Sequence, residues 1–232
     1  GLAIADKLRT QVTSINQGVS NGNSAVALLQ IADKSMAEQS KILDTVKAKL
    51  IQANTDTTSV DGRNAIAKDV SKLLKQLNNI AVQTNYNGTN LLQGTRSAVA
   101  GQSALNFQIG ENKADTISTK AIQANTNGFS LTALSGAAGG ATFTKAQATA
   151  GQTAVDSAIT TLNGYRGDIG STQNQVESAV RNLMTQSTNI KAAESVIRDV
   201  DYAEESANFN KLNIISQAGS YAISQSNAVS QN

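Results

Sequence analysis

Proline, cysteine, histidine and tryptophan are all absent from this 232-residue chain, and aromatic residues make up only 3% of it. The absence of proline permits long uninterrupted helices, because no residue fixes φ or removes a helical hydrogen bond. Without cysteine there is no disulfide and no thiolate metal site. Without histidine as well, most zinc sites and most acid–base catalysis near neutral pH are excluded. The scarcity of aromatic side chains favours thin seams of aliphatic residues over a thick globular core.

Charge is nearly balanced along the chain. Lysine and arginine number 19 against 17 acidic residues, a formal net charge of +2, and no basic block stands out. This balance predicts neither nucleic acid nor an anionic membrane as a partner. No apolar run approaches the roughly 20 residues of a membrane span, and we expect no cleavable signal peptide in this stretch of sequence. The chain opens at Gly1 inside a helical pattern and without an initiator Met, so we expect it to be a fragment.

Two long stretches repeat apolar residues at alternating steps of four and three, from Leu8 to Leu50 and from Val155 to Ile197. A period near 3.5 predicts a long helix with one narrow apolar stripe, which is buried only against partner helices. A shorter stripe between Ile66 and Ile80 predicts a second helix, with Asp61 as its cap. We therefore predict a mainly α fold with a small β part. Its core is an elongated antiparallel bundle of long helices, coiled-coil-like, with β-hairpins between the second and third helices.

The apolar period changes after residue 83. The Asn87-Gly88 step is a strong tight-turn signal, because both residue types tolerate positive φ. Apolar and polar residues alternate around Phe107, which predicts one or two hairpins between residues 84 and 124. Residues 126–150 are rich in Gly, Ala, Ser and Thr and predict a loop.

Two further patterns are spaced as capping boxes: Thr153 with Asp156, and Asp201 with Glu204. They predict that one helix begins near Thr153 and a last helix near Asp201. The resulting division is N-terminal core helices at 1–83, a β-hairpin region at 84–125, a variable surface loop at 126–150, a C-terminal core helix at 151–198, and a linker with a C-terminal assembly helix at 199–232.

Six segments resemble the bacterial flagellins. Tyr86-Asn87-Gly88, followed by Leu91-Leu92, is similar to the family's aromatic-Asn-Gly pattern. Asp199-Val200-Asp201-Tyr202-Ala203 resembles its Asp-x-Asp-Tyr-Ala segment. In chain order the segments are 1–8, 28–32, 86–94, 107–110, 196–205 and 214–219. The resemblance covers roughly residues 1–125 and 151–232, and it is missing from the middle, where flagellins vary.

The resemblance implies a structural subunit of the bacterial flagellar filament, the extracellular helical propeller used for motility, and not an enzyme. Other flagellin subunits would be its partners in a homopolymer. The flagellar export apparatus, a secretion chaperone and the filament cap would handle it before assembly, and no cofactor is implied. Because the terminal helices of flagellins form the inner tube of the filament, we expect this fragment to be monomeric. The assembly residues that the resemblance marks are Tyr202, Ala203, Ile214, Ile215, Gln217, Ala218 and Gly219.

A recognition patch on the first helix also follows from the resemblance. Many flagellins expose there an Arg and a Leu that the animal flagellin-sensing Toll-like receptor grips, and the matching positions here hold Thr45 and Lys49. Loss of a bidentate donor or an apolar anchor from an interface centre costs about 2 kcal/mol or more. We expect weak or absent receptor activation, with neutral surface drift as the alternative. The altered patch consists of Asp44, Thr45, Lys47, Lys49 and Gln52.

Other functions stay open at this stage. A hook–filament junction protein shares the helical core, although the Gln217-Ala218-Gly219 segment favours flagellin. A surface adhesin or sugar-binding module needs an aromatic-lined cleft, for which four Tyr and four Phe offer little. An enzyme would have to assemble a nucleophile and a base from Lys, Ser and carboxylates alone.

Some local clusters have both a functional and a structural interpretation. The acidic cluster Asp199, Asp201, Glu204 and Glu205 has the chemistry for Ca²⁺ or paired-carboxylate catalysis, but helix capping and a solvated face explain it better. Glycines recur at residues 164, 167 and 170, and they predict either close helix approach or a hinge. Hydroxyl groups around 126–153 are candidate sites for O-linked sugars.

Overall fold

The computed structural model describes residues 1–212 of the chain. Within that range, four helices and four short strands follow one another. Their bounds are α1 Leu2–Ala53, α2 Val60–Gln83, β1 Asn85–Tyr86, β2 Thr89–Asn90, β3 Asn106–Gln108, β4 Thr116–Ser118, α3 Thr132–Ala138 and α4 Lys145–Leu212. The predicted fold class, mainly α with a small β part, is confirmed.

The chain divides into two compact units. The first consists of residues 1–22, 108–116 and those from 178 onward, and the second of residues 23–107 and 117–177. Both long helices, α1 and α4, contribute residues to each unit.

In the second unit, α1, α2 and α4 each bury one apolar stripe. Arg166 Nε donates to Asp33 at 3.0 Å, and Lys47 pairs with Asp156 at 2.6 Å. The later residue of α1 thus contacts the earlier residue of α4, so the two helices are antiparallel. The fully or almost fully buried members of the stripes include Leu29, Met36, Leu43, Val46 and Leu50 from α1, Val70, Leu74 and Leu77 from α2, and Val155, Leu162, Ile169 and Val176 from α4. The four-three spacing predicts many of these residues, but Val46 of α1 and Leu74 of α2 are buried where the predicted stripes have Lys47 and Leu73.

The second unit also buries a polar side chain between its helices. Gln39 on α1 is fully buried, and its Nε2 donates to the carbonyls of Leu77 at 3.1 Å and Ala124 at 2.7 Å. One amide group thereby links α1 both to α2 and to the segment after β4, at Ala124. Its Oε1 has no hydrogen-bond partner within the described residues, so desolvation of that atom is a cost that the two donated bonds offset.

In the first unit, the same antiparallel pairing of α1 and α4 holds a loop. Ser187 Oγ donates to Asn16 Oδ1 at 3.2 Å. The loop that follows β3 lies against α1 at Gly18, where an added Cβ would collide with the Ile109 carbonyl oxygen. Nearby, Asn21 Nδ2 donates to the Gln108 carbonyl at 2.8 Å. Glycine is required at residue 18 because the backbone of the loop occupies the place of a side chain.

Two hairpins are present in the region where the sequence predicts one or two. β1 pairs antiparallel with β2, Asn85 opposite Asn90, around a turn in which Asn87 has φ 53° and Gly88 φ 85°. Positive φ at both central residues is the geometry of a two-residue hairpin turn. β3 pairs with β4, and each of these strands buries its central residue, Phe107 or Ile117, between exposed neighbours.

The expectation of a loop throughout residues 126–150 is wrong, because this segment contains α3 and the first turns of α4. Alanine-rich stretches favour helix, and Leu134 of α3 is buried. Thr153 does not cap a helix, since α4 begins eight residues earlier. The capping box is Thr144 with Gln147: the Gln147 N–H donates to Thr144 Oγ1 at 3.1 Å, and the Thr144 N–H donates to Gln147 Oε1 at 3.0 Å.

Three other local predictions are corrected. Asp201 begins no new helix, because α4 runs without interruption from Lys145 to Leu212. The cap of α2 is Ser59, whose hydroxyl accepts from the Gly62 N–H at 3.0 Å, so Asp61 only adds negative charge to the first turn. The recurring glycines of α4 do not serve close packing within the described chain, since a Cβ added at Gly164, Gly167 or Gly170 would meet no atom within 4 Å.

The two kinds of helical glycine should respond oppositely to alanine. Gly18→Ala should lower the free energy of unfolding by about 1–3 kcal/mol, because the methyl group must displace the Ile109 carbonyl. Gly167→Ala should raise it by up to about 1 kcal/mol, because open space leaves only the gain in helix propensity. Urea denaturation followed by circular dichroism measures both. Equal effects of the two substitutions would show that the contact at Gly18 does not constrain the loop.

Candidate assembly surface

The C-terminal part of α4 carries apolar residues on a face that the described chain leaves open. Residues 193, 196, 200, 203 and 207 follow one another at steps of three and four, and all five are apolar and exposed. We call this set, Ala193, Val196, Val200, Ala203 and Ala207, the outer stripe. Val196 is 62% exposed and Val200 is 53% exposed. The spacing is that of a helix–helix seam, and full burial of each valine would contribute about 1.5–3 kcal/mol.

An ion-pair network on another side of α4 fixes its rotation in the first unit. Arg198 donates to Asp6 of α1 at 3.1 Å and to Glu194 at 3.1 Å, and Arg9 adds a second contact to Asp6 at 3.2 Å. The hydrogen bond to Asp6, followed by that to Glu194, raises the pKa of Arg198. At about 100° per residue, Arg198 lies roughly 160° around the helix from Val196. The side of α4 that binds α1 is therefore not the side that carries the outer stripe.

The structure locates two of the seven predicted assembly residues. Ala203 belongs to the outer stripe. Tyr202 is 37% exposed but lies about 120° around the helix from Val196, so the two neighbours in sequence belong to different faces. The other five, Ile214, Ile215, Gln217, Ala218 and Gly219, lie outside the described residues.

Sequence reasoning missed most of the outer stripe. The four-three pattern through Ile190 and Ile197 marks the side of α4 that faces α1, and a second apolar pattern runs beside it. Val196 and Val200 could have revealed this second pattern, because both are apolar and neither belongs to the first stripe. A helix with two such stripes has one more apolar face than a single antiparallel pairing covers.

The predicted recognition patch spreads over a wide arc of α1. Thr45 and Gln52 are exposed and point the same way, within about 20° of each other. Lys47 and Lys49 lie at opposite edges of this arc. Lys47 pairs with Asp156 of α4 at 2.6 Å, and Lys49 pairs with Asp69 of α2 at 3.2 Å.

The remaining member of the patch, Asp44, is exposed. At the two positions where many flagellins carry Arg and Leu, this chain therefore has Thr45, with a short hydroxyl, and Lys49, which is already paired with Asp69. The Thr45 hydroxyl itself donates to the Lys41 carbonyl of its own helix at 2.9 Å.

The acidic cluster on α4 does not form a compact site. Among the described residues, no group of three or more acidic side chains is placed to hold a metal ion. Glu204 and Glu205 are exposed, and Asp199 and Asp201 are partly exposed. Successive acids point to different sides of the helix. No helix within residues 1–212 is long and apolar enough to cross a membrane.

The chain is similar to bacterial flagellins along most of its length. The model of the flagellin N-terminal helical region matches residues 1–97, and that of the C-terminal helical region matches residues 152–232. Flagellin of Bacillus subtilis is 32% identical over 254 residues, covering 100% of this chain and 84% of the relative. The flagellar filament 30.7 kDa core protein of Treponema maltophilum is 31% identical over 240 residues, covering 100% and 82%. The crystal structure of Bacillus cereus flagellin aligns with a TM-score of 0.59 at 26% identity, covering 75% of this chain and 94% of that chain.

Proposed function

Because the chain belongs to the bacterial flagellin family and is a structural subunit of the flagellar filament, we propose that it enters the polymer through the outer stripe of α4. The observation that carries this proposal is the exposure of Val196 and Val200 on a helix face with seam spacing. An apolar seam that one copy leaves in water is stabilised when another helix covers it. Flagellins are structural proteins, and the chemistry of this face is that of helix packing rather than catalysis.

The relatives support the filament over the hook–filament junction. The Bacillus subtilis flagellin and the Treponema maltophilum filament core protein both cover the whole of this chain. The flagellar filament lies outside the cell, so we propose an extracellular location. The same family membership supports export through the flagellar apparatus with a secretion chaperone, and addition of the subunit beneath the filament cap.

Polymerisation tests the function directly. A chimera of this chain with the terminal helices of Bacillus subtilis flagellin should form filaments visible by electron microscopy, whereas the chain alone should not. Absence of filaments from the chimera under all seeding conditions would favour the junction protein, and binding to isolated hook ends would then be the assay.

The outer stripe can be tested with a matched pair of substitutions. Val196→Glu in the chimera should reduce the mass of filament at least about tenfold, because an unpaired carboxylate buried between helices costs several kcal/mol. Its thermal midpoint as a monomer should change little, since residue 196 is exposed there. Val60→Glu is the control, because Val60 is 59% exposed at the start of α2. Filament loss from Val60→Glu but not from Val196→Glu would place assembly elsewhere.

We further propose that the chain activates the host Toll-like receptor weakly. Support comes from Thr45 and Lys49, which present neither an arginine fork nor an apolar anchor on the exposed arc of α1. Receptor contact would also compete with the Lys49–Asp69 ion pair, although an exposed pair of this kind contributes only about 1 kcal/mol or less.

Restoring both groups should raise signalling. The double variant Thr45→Arg/Lys49→Leu should lower the half-maximal concentration in receptor reporter cells by about tenfold or more, since each regained anchor is worth about 2 kcal/mol. Thr13→Arg, at another exposed position of α1, controls for added charge. Strong signalling by the unmodified chain at low concentration would defeat the proposal.

A further inference from the structure

A stripe of lysines runs along the exposed side of α2. Lys68, Lys72 and Lys75 are all exposed, and at about 100° per residue they lie within roughly 60° of one another. None of the three forms an ion pair within the described residues. Ala65, also exposed, lies one turn before Lys68 on the same side. We call Ala65, Lys68, Lys72 and Lys75 the lysine stripe.

The acids of α2 do not neutralise this stripe. Asp69 lies about 100° around the helix from Lys68 and about 60° from Lys72, but it is engaged with Lys49 of α1 at 3.2 Å. Asp61 lies on the same side of α2, two turns before Lys68, and in the first turn it complements the helix dipole. Like charges at spacings of three and four repel one another, so the lysine stripe is a surface that an acidic partner would stabilise.

The outer stripe of α4 is bordered by acids around Val196 and Val200, and Lys211 follows its last member, Ala207, by one turn. Asp199 and Glu204 lie on its two sides, about 60° and 80° from Val196, and neither forms an ion pair within residues 1–212. The nearest cations in sequence, Lys191 and Arg198, lie about 140° or more from Val196, and Arg198 is already engaged with Asp6 and Glu194. An apolar seam with acidic borders is complementary to a helix face made of alanine and lysine, which offers small side chains, methylene chains and ammonium groups.

We propose that the outer stripe of one copy docks on the lysine stripe of a second copy. Asp199 and Glu204 then face the ammonium groups of Lys68, Lys72 and Lys75, while Val196 and Val200 pack over Ala65 and the methylene stems of the lysines. At about 1.5 Å per residue, Lys68 to Lys75 spans roughly 10 Å and Asp199 to Glu204 roughly 8 Å, so the charged stretches match in length. The inference rests on the proposed filament function, since two different surfaces in contact give a ring or an open helical polymer rather than a two-fold dimer.

The absence of cysteine from the chain permits a clean test of this contact. Ala203→Cys places a thiol in the outer stripe, and Ala65→Cys places one in the lysine stripe. The two single-cysteine copies, one of them enlarged by a tag, are mixed at high concentration and oxidised. The mixed disulfide should form at least about tenfold faster than it does when Thr13→Cys replaces Ala65→Cys, and its yield should fall as salt screens the charges.

Charge reversal distinguishes docking of the outer stripe on the lysine stripe from binding of either stripe to another partner. Lys68→Glu/Lys72→Glu/Lys75→Glu in the Ala65→Cys copy should return the cross-linking rate to that of the control, and Asp199→Lys/Glu204→Lys in the other copy should restore it. Circular dichroism checks that both charge variants stay helical. A rate unchanged by the lysine reversal would overturn the proposal. So would a disulfide between two Ala203→Cys copies alone, or binding of the lysine stripe to anionic vesicles instead of to a second copy.

Two measurements, filament formation by the chimera and formation of the mixed disulfide, distinguish a wrong contact from a wrong filament function. If the chimera with terminal helices polymerises equally well with and without the three lysine reversals, the filament function stands and the proposed contact is wrong. If the unmodified chimera forms no filament while the mixed disulfide still forms, the contact stands and the filament function is at fault.

Discussion

The structure depends on the burial of narrow apolar stripes between antiparallel helices. A chain with no tryptophan and few other aromatics cannot fill a thick core, so each long helix must lie along another to remove its stripe from water. Leu29, Leu43 and Leu50 of α1 are fully buried in this way. Polar contacts fix the register of the pairing: Arg166 with Asp33 and Lys47 with Asp156 in the second unit, Arg198 with Asp6 in the first. These exposed or half-exposed pairs contribute little stability each, but they select one alignment of the helices.

The same constraint explains why α4 carries a second apolar face. Pairing with α1 uses only one side of the helix, and the outer stripe stays in water. A monomeric protein gains nothing from exposed valines at seam spacing, whereas a subunit that is covered by a neighbour does. The cysteine-free and proline-free composition fits this arrangement, since stability and long helices both come from packing. The shape of the surface, rather than any reactive group, is what this chain offers to its partners.

The helical architecture could be predicted from the sequence because the four-three period is long and regular, and because Asn87-Gly88 is an unambiguous turn. What could not be predicted depends on contacts between distant residues. Residues 132–138 form a helix that buries Leu134 against distant parts of the chain, and the requirement for Gly18 comes from the Ile109 carbonyl far along the chain. The capping box was misplaced at Thr153 because an equally well-spaced pair, Thr144 and Gln147, stood earlier in a segment that composition marks as a loop. At the candidate surface, the resemblance to flagellins identified Ala203. The rest of the outer stripe could not be predicted, because it depends on which side of α4 faces α1.

The central claim is that the outer stripe of α4 is an interface between subunits. A cryo-electron microscopy reconstruction of the filament formed by this subunit tests it most directly, because the exposure of each side chain can be read from the map. We predict that Val196 and Val200, 62% and 53% exposed in the single chain, become buried against a neighbouring copy. A filament in which both valines still face solvent or the lumen would contradict the account.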